Sequence, residues 1–261
     1  IERDIGITVS IGLSANKFLA KTASELDKPR GFALIGTGDA MDVLAERDVG
    51  DIHGVGPKFA AKLARDGLKS VADIQRSDMK ALIGRYGETG LWLHNRARGI
   101  DNRPVSPHSE RKSVSSEITF DKDISDPESL MDSLWTVCVR TADRAKAAEI
   151  EGVSLSLKLK TRDFRTLTRS RTLSQPTQLA QTLFRVMRPA LEKETGRGQS
   201  YRLIGVGIAG LQPAGEDMPD LIDPTVEKRA AMERAAALAR SKFGSDAVVT
   251  GRAAKAAAAR G

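Results

Sequence analysis

Two glycines one residue apart, followed by proline and lysine, make Ile52-His53-Gly54-Val55-Gly56-Pro57-Lys58 the stretch of this chain best suited to hold an anion. Lacking a Cβ, glycine turns the backbone tightly at positive φ and lets a phosphate oxygen come close to main-chain amides. Pro57 fits the first helical position, where its missing N–H is no loss, and the amides just after it face an anion at the positive end of the helix dipole. Lys58 adds a mobile cation. Gly54, Val55, Gly56 and Lys58 are therefore the predicted contacts of this segment. A Gly-x-Gly step also occurs in ordinary turns, so the flanking elements must separate the two readings.

A second group of chemically capable residues lies further on. Between Lys158 and Arg171 six basic residues (Lys158, Lys160, Arg162, Arg165, Arg169, Arg171) face a single acid, Asp163. Val153, Leu155, Leu157 and Leu159 alternate with Ser154, Ser156, Lys158 and Lys160, the period of a strand with one buried face. The alternation predicts that Lys158, Lys160 and Arg162 point outward. Arg165, Arg169 and Arg171, with Thr166, Thr168 and Thr172, are expected to continue that character on the returning strand. Cations interspersed with hydroxyls suit phosphate tracking. Only 4% of residues are aromatic and no two fall at stacking positions on this face, which argues against a single-strand stacking platform.

The elements that must position these groups are legible in outline. Ile7 to Leu13 reads as a strand, Asn16 as a helix cap, Lys17 to Leu26 as a helix and Phe32 to Ile35 as a strand, so residues 1–38 form an α/β remnant. Residues 39–100 are helical throughout. Met41, Leu44 and Ala45 precede the glycines, and Phe59, Leu63, Leu68, Val71 and Ile74 follow at helical spacing. Helices are also predicted from Ser77 to Ile83 and from Glu88 to Arg98. The glycine segment resembles a helix-hairpin-helix, whose amides hold DNA phosphates without reading sequence. Residues 101–110, rich in proline and polar groups, read as a linker. Residues 111–212 then run strand (Arg111 to Phe120), helix (Pro127 to Glu149), strand (Val153 to Arg162), strand (Arg165 to Leu173), helix (Gln175 to Thr195), strand (Tyr201 to Leu211). This βαββαβ order predicts four strands in one layer, two helices in the other and one open sheet face. Residues 213–261 form a C-terminal extension in which Thr225 to Phe243 is expected to be helical. The fold class expected is α+β multidomain.

Composition bounds the function. Forty-one Lys and Arg against 34 Asp and Glu leave a net charge of +7, which favours an anionic partner. The one cysteine, Cys138, sits in an apolar run and reads as a core residue of a reduced, cytoplasmic protein. The three histidines His53, His94 and His108 are scattered without zinc-ligand spacing, and no stretch approaches a membrane span.

Ser10 to Lys21 (SIGLSANKFLAK), with Ala23-Ser24 and Lys28-Pro29-Arg30-Gly31, closely resembles the end of the palm domain of Y-family translesion DNA polymerases of the bacterial polymerase IV type. The glycine hairpin resembles that family's thumb, with its helix-hairpin-helix. Arg111 to Glu117 (RKSVSSE) and the βαββαβ unit resemble its little finger, and Tyr201 to Val206 its last strand. The resemblance runs from about Ile5 to Leu211 in the family's domain order. It implies error-prone, template-directed DNA synthesis during lesion bypass, with primer–template duplex and deoxynucleoside triphosphates as partners. It also implies Mg2+ held by carboxylates, Lys28 reaching the nucleotide triphosphate, and duplex contacts from Lys112, Ser113 and Arg202 in addition to those above. The chain opens with Ile1, and the family's two carboxylate motifs, expected before that residue, are not in it. Glu2, Asp4, Glu25 and Asp27 match neither. The expectation is a monomeric fragment that grips duplex and does not by itself synthesise DNA, with no catalytic residue in the chain. A degenerate sliding-clamp peptide is considered at 218–224. The alternatives are a non-catalytic helix-hairpin-helix DNA-binding or scaffold protein and a subunit of the related mutagenic polymerase complex.

Overall fold

Asn16 does locally what its residue type predicts: its side chain accepts a hydrogen bond from the Leu19 amide at 2.9 Å and caps a helix. In the computed structural model, which describes residues 1–107, 110–195, 198–215, 225–244 and 247–249, that helix belongs to the first of two compact units dividing at residues 108 and 109. The first unit begins with α1 (Glu2–Ile5), β1 (Ile11–Ser14), α2 (Lys17–Ala23) and β2 (Phe32–Ile35). β1 and β2 are parallel, with Ile11 beside Phe32 and Leu13 beside Leu34. The predicted strand from Ile7 starts only at Ile11, where the Ile11 amide finds the Gly31 carbonyl at 2.9 Å; a strand needs a partner to exist.

Five helices follow: α3 (Ala40–Ala45), α4 (Pro57–Arg65), α5 (Val71–Arg76), α6 (Met79–Tyr86) and α7 (Glu88–Ala97), with a short 3-10 turn at Val49–Asp51. Ser70 and Asp73 form a reciprocal capping box on α5 and Asp78 caps α6, so three helix starts of this unit are set by local polar residues. Phe18, Leu19 and Ile35 share one buried core with Leu44, Leu63, Ile74 and Leu93, which joins the segments 1–38 and 39–100. A polar knot closes it. The fully buried Asp101 carboxylate accepts from Arg96 Nη2 at 3.1 Å and from Arg103 Nε and Nη2 at 2.9 Å each. Arg96 also lies over the rings of Phe18 and Trp92 and donates to the Ile100 carbonyl.

The second unit contains β3 (Ser113–Ile124), α8 (Pro127–Ala147), β4 (Ile150–Thr161), β5 (Thr166–Thr177), α9 (Ala180–Glu194), β6 (Tyr201–Pro213) and α10 (Thr225–Phe243). The strands form one antiparallel sheet in the order β3-β6-β4-β5. Leu155, Leu157 and Leu159 of β4, with Ile204, Val206 and Ile208 of β6, are buried against Leu130, Leu134, Val137 and Cys138 of α8 and Leu183, Met187 and Leu191 of α9. Cys138 is a core residue, and burial pushes its thiol pKa well up. The helix predicted from Gln175 starts at Ala180, because β5 continues pairing with β4 as far as Thr177 opposite Gly152. β5 is an edge strand, which is why Pro176 is tolerated in it. Among the described residues no helix is long and apolar enough to cross a membrane.

α10 is fixed to the helix layer by charge. Leu179, at the start of α9, offers no capping side chain; instead the Glu233 carboxylate accepts from the amides of Ala180 at 2.8 Å and Gln181 at 3.0 Å, and pairs with Lys146 at 3.0 Å. Seven residues on, Arg240 meets Asp143 bidentately at 2.7 and 2.8 Å. Glu233→Gln weakens three charge-assisted bonds at once, so urea unfolding of this variant is expected to show a loss of about 1–2 kcal/mol. An unchanged midpoint and slope would mean that α10 does not support α9.

Candidate nucleic-acid interface

The glycine hairpin is built by one buried side chain and two differently constrained glycines. Val55 is buried, and its amide donates to the Ile52 carbonyl at 2.8 Å. Its part is thus to anchor the turn, and the predicted contact from its own N–H is already spent inside it. Gly54 has φ of +112°, and a Cβ there would stand 3.0 Å from Trp92 Cζ2, so glycine is required by the fold. Gly56 has φ of −83° and ψ of 167°, ordinary extended geometry, and a Cβ on it would meet nothing within 4 Å. That open space lies at the start of α4, with Pro57 in its first turn. Among the described residues the amides of Gly54, Gly56 and Lys58 have no intrachain acceptor, and the Lys58 side chain is exposed. Three donors and a cation on one turn have the chemistry to hold an anion.

The open face of the sheet follows from register. Side chains directly opposite in an antiparallel pair share a face. Ser113, Ser115, Glu117 and Thr119 of β3 therefore line up with Ala209, Gly207, Gly205 and Leu203 of β6. Ser154, Ser156, Lys158 and Lys160 of β4 come next, and Thr172, Ser170, Thr168 and Thr166 of β5 complete the face. The result is a strip about 20 Å long of hydroxyls and small residues. Lys158 Nζ reaches across Gly205 to both oxygens of Glu117, at 3.0 Å each; a Cβ on Gly205 would stand 2.6 Å from Glu117 Cγ. Ser113 and the exposed Lys112 lie at one end of the strip and Lys160 at the other.

This register corrects the reading of the returning strand. Arg169 is opposite Leu157 and Arg171 opposite Leu155, so both lie on the helix side of the sheet. Arg169 pairs there with Glu194 of α9 at 2.7 Å. The alternation carried part of the information: Thr166, Thr168, Ser170 and Thr172 share one parity, and Leu167 and Leu173 share the other with the two arginines, but the register assigns that parity to the helix side. Two arginines can occupy the apolar side because β5 is an edge, where long side chains carry their charge past the sheet to water. The positive charge is consequently concentrated at the hairpin end, on Lys160, Arg162, Arg165 and Arg202. Arg162 and Arg165 lie in the exposed connection between β4 and β5. Lys160 Nζ is 5.0 Å and Arg202 Cζ 4.0 Å from the centre of the Phe164 ring, a residue that no motif singled out. The signal available was an aromatic in a turn position.

In the first unit Lys28 forms an exposed ion pair with Glu25, which Lys21 also contacts at 2.6 Å. Hydrogen bonds from Lys21 and Lys28 lower the Glu25 pKa to about 2. Such a pair is weak and gives Lys28 up readily to a stronger anion.

The model of the impB/mucB/samB family C-terminal domain matches residues 111–221. The DNA polymerase IV of Caulobacter vibrioides is 48% identical over 255 residues, covering 98% of this chain and 63% of the relative. The DNA polymerase IV of Brucella melitensis is 46% identical, covering 96% of this chain and 56% of the relative. The chain belongs to the Y-family DNA polymerases of the polymerase IV type. A solved Y-family DNA polymerase chimera has the same fold, with a TM-score of 0.60 at 23% identity over 80% of this chain and 60% of its own. This polymerase IV family chain spans 56 to 63% of the length of the two relatives named.

Y-family polymerases are generally dependent on divalent metal. The carboxylates near the start of this polymerase-family chain do not fit that role: among the described residues no three His, Cys, Asp or Glu side chains are grouped to hold a metal ion, and Glu2, Asp4 and Glu25 stand apart in exposed pairs with Arg30, Arg3, and Lys21 and Lys28. The peptide considered at 218–224 lies outside the described residues.

Proposed function

We propose that this chain is the duplex-holding portion of an error-prone translesion polymerase. Residues 1–38 are the end of a palm, 39–100 a thumb, 101–110 a linker and 111–212 a little finger. The carrying observation is the open sheet face, lined mainly by hydroxyls and glycines suited to phosphate contact, with Lys158 and Glu117 occupied by each other and Lys160 at its end. The hairpin amides of Gly54, Gly56 and Lys58 are equally indifferent to sequence. Grip of this kind suits a template whose bases are damaged, since hold is carried by phosphates. Lys112, Ser113, Lys160, Arg162, Arg165 and Arg202 are assigned to the duplex, and Lys28 leaves Glu25 for the triphosphate of an incoming nucleotide.

The palm reading is supported by an uncovered surface. Ile11, Leu13, Phe32 and Leu34 make an apolar sheet face, 50 to 64% exposed, on a parallel pair whose other face packs on α2. Parallel sheets are covered on both faces, so further polymerase structure belongs there. In the same reading the magnesium-binding carboxylates and the nucleotidyl transfer they support lie in sequence this chain does not span.

Binding of a labelled primer–template measured by fluorescence polarisation at several salt concentrations tests the duplex role. The expected result is equal affinity for unrelated sequences, with the logarithm of the association constant falling linearly against that of salt. Sequence-selective binding, or affinity indifferent to salt, would overturn it.

A further inference from the structure

Phe164 occupies a position that its residue type disfavours. The β4–β5 connection closes with the Phe164 amide donating to the Thr161 carbonyl at 2.9 Å, the Thr161 amide to the Arg165 carbonyl at 2.9 Å, and the Arg165 amide to Thr161 Oγ1 at 3.2 Å. This frame puts Phe164 at φ of +61°, the left-handed region that glycine takes by preference in such turns. A bulky side chain there strains the backbone, and such strain persists where surrounding structure or use retains it. Packing does not retain it: the side chain is outside both cores and Phe164 is 61% exposed. What the ring touches is charge, the Lys160 ammonium from β4 and the Arg202 guanidinium from β6.

We propose that Phe164 is a positioning residue of the duplex surface, a ring that gathers Lys160 and Arg202 at the hairpin end of the open face so that both meet the phosphate backbone already ordered. The inference rests on the duplex-holding role proposed above. Lysine and arginine side chains are long and flexible, and ordering them is part of the cost of binding. A cation stacked on an aromatic face is ordered before DNA arrives while its remaining N–H groups stay available. Arg162 and Arg165 flank the ring on an exposed loop, and the Arg162 amide is tied to the Ser200 carbonyl at 3.1 Å, which holds the turn beside the start of β6.

The role separates two effects that usually travel together. Phe164→Gly relieves the backbone and removes the ring, so this variant should melt no lower than the parent while binding a primer–template duplex about three- to ten-fold more weakly. The salt slope should be unchanged, because the same cations remain, whereas Arg202→Ala should reduce it by about one. Phe164→Tyr keeps the platform and should restore parental affinity. Parental affinity of Phe164→Gly alongside weakened binding by Arg202→Ala would overturn the proposal and leave Phe164 a turn residue. A lowered melting temperature of Phe164→Gly would overturn it too, by making the ring structural. If Arg202→Ala and Lys160→Ala both bind as the parent does, the duplex role of this face is what fails.

Discussion

Gly56→Asp is expected to lose about ten-fold or more in affinity for duplex DNA while melting at or slightly above the parental temperature. Gly56 sits at the N-cap of α4 in extended geometry with open space around its Cα, so an aspartate enters without strain. Its carboxylate would accept from first-turn amides and complement the helix dipole, a gain of a few tenths of a kcal/mol over glycine. The Lys58 amide among them is one of those assigned to a phosphate, and the new charge would stand where the phosphate must go. Stability and binding therefore move in opposite directions. Gly54→Ala behaves differently, because φ of +112° and Trp92 at 3.0 Å penalise any Cβ, and its loss of binding would come with a loss of fold. Polarisation titrations paired with thermal melts distinguish the two glycines; weakened binding of Gly56→Asp matched by an equal loss of stability would defeat the assignment.

Asp101→Asn should destabilise the first unit by about 3–5 kcal/mol, a large share of the whole stability of a domain this size. The substitution conserves shape but leaves the Arg96 guanidinium, 7% exposed, without its counter-charge. Hydrogen bonds from Arg103, with the charges of Arg96 and Arg103, hold the Asp101 carboxyl well below the usual carboxylate range. The sign follows from linkage. A depressed folded-state pKa stabilises fully above the unfolded value, about 4, and that contribution is lost as pH falls below it. Unfolding followed through Trp92, which lies against Arg96, should show an acid limb beginning near pH 4 that is flattened in Asp101→Asn. An acid limb identical in the two proteins would show that Asp101 does not carry it.

Much of this molecule is written locally. Asn16, the cap read from the sequence, and Ser70, Asp78 and Asp126 each cap a helix, because a short polar side chain satisfies amides within its own turn. The alternation of Leu155, Leu157 and Leu159 with Ser156, Lys158 and Lys160 placed β4 and its buried face before any partner was known. The glycine hairpin was legible for the same reason: Gly54 permits a positive φ and Pro57 fixes φ at a helix start, each at its own position.

Where strands and charges met was a different matter. Period-two alternation states that Arg169 and Arg171 share a face, but which face is fixed only by the register across the 162–165 connection, and a shift of one residue would exchange them. The pairing of Lys158 with Glu117 across Gly205, the stacking of Arg202 on Phe164, and the capping of α9 by Glu233 join residues far apart in sequence. No local propensity encodes such contacts. By itself the sequence determined the order of elements and the basic character, since composition and short-range geometry suffice for these, and its motifs, Ser10 to Lys21 and Arg111 to Glu117 among them, carried the polymerase IV resemblance. The tertiary structure alone decided which cations share the open face and which are neutralised, because a charge acts according to its neighbours in space.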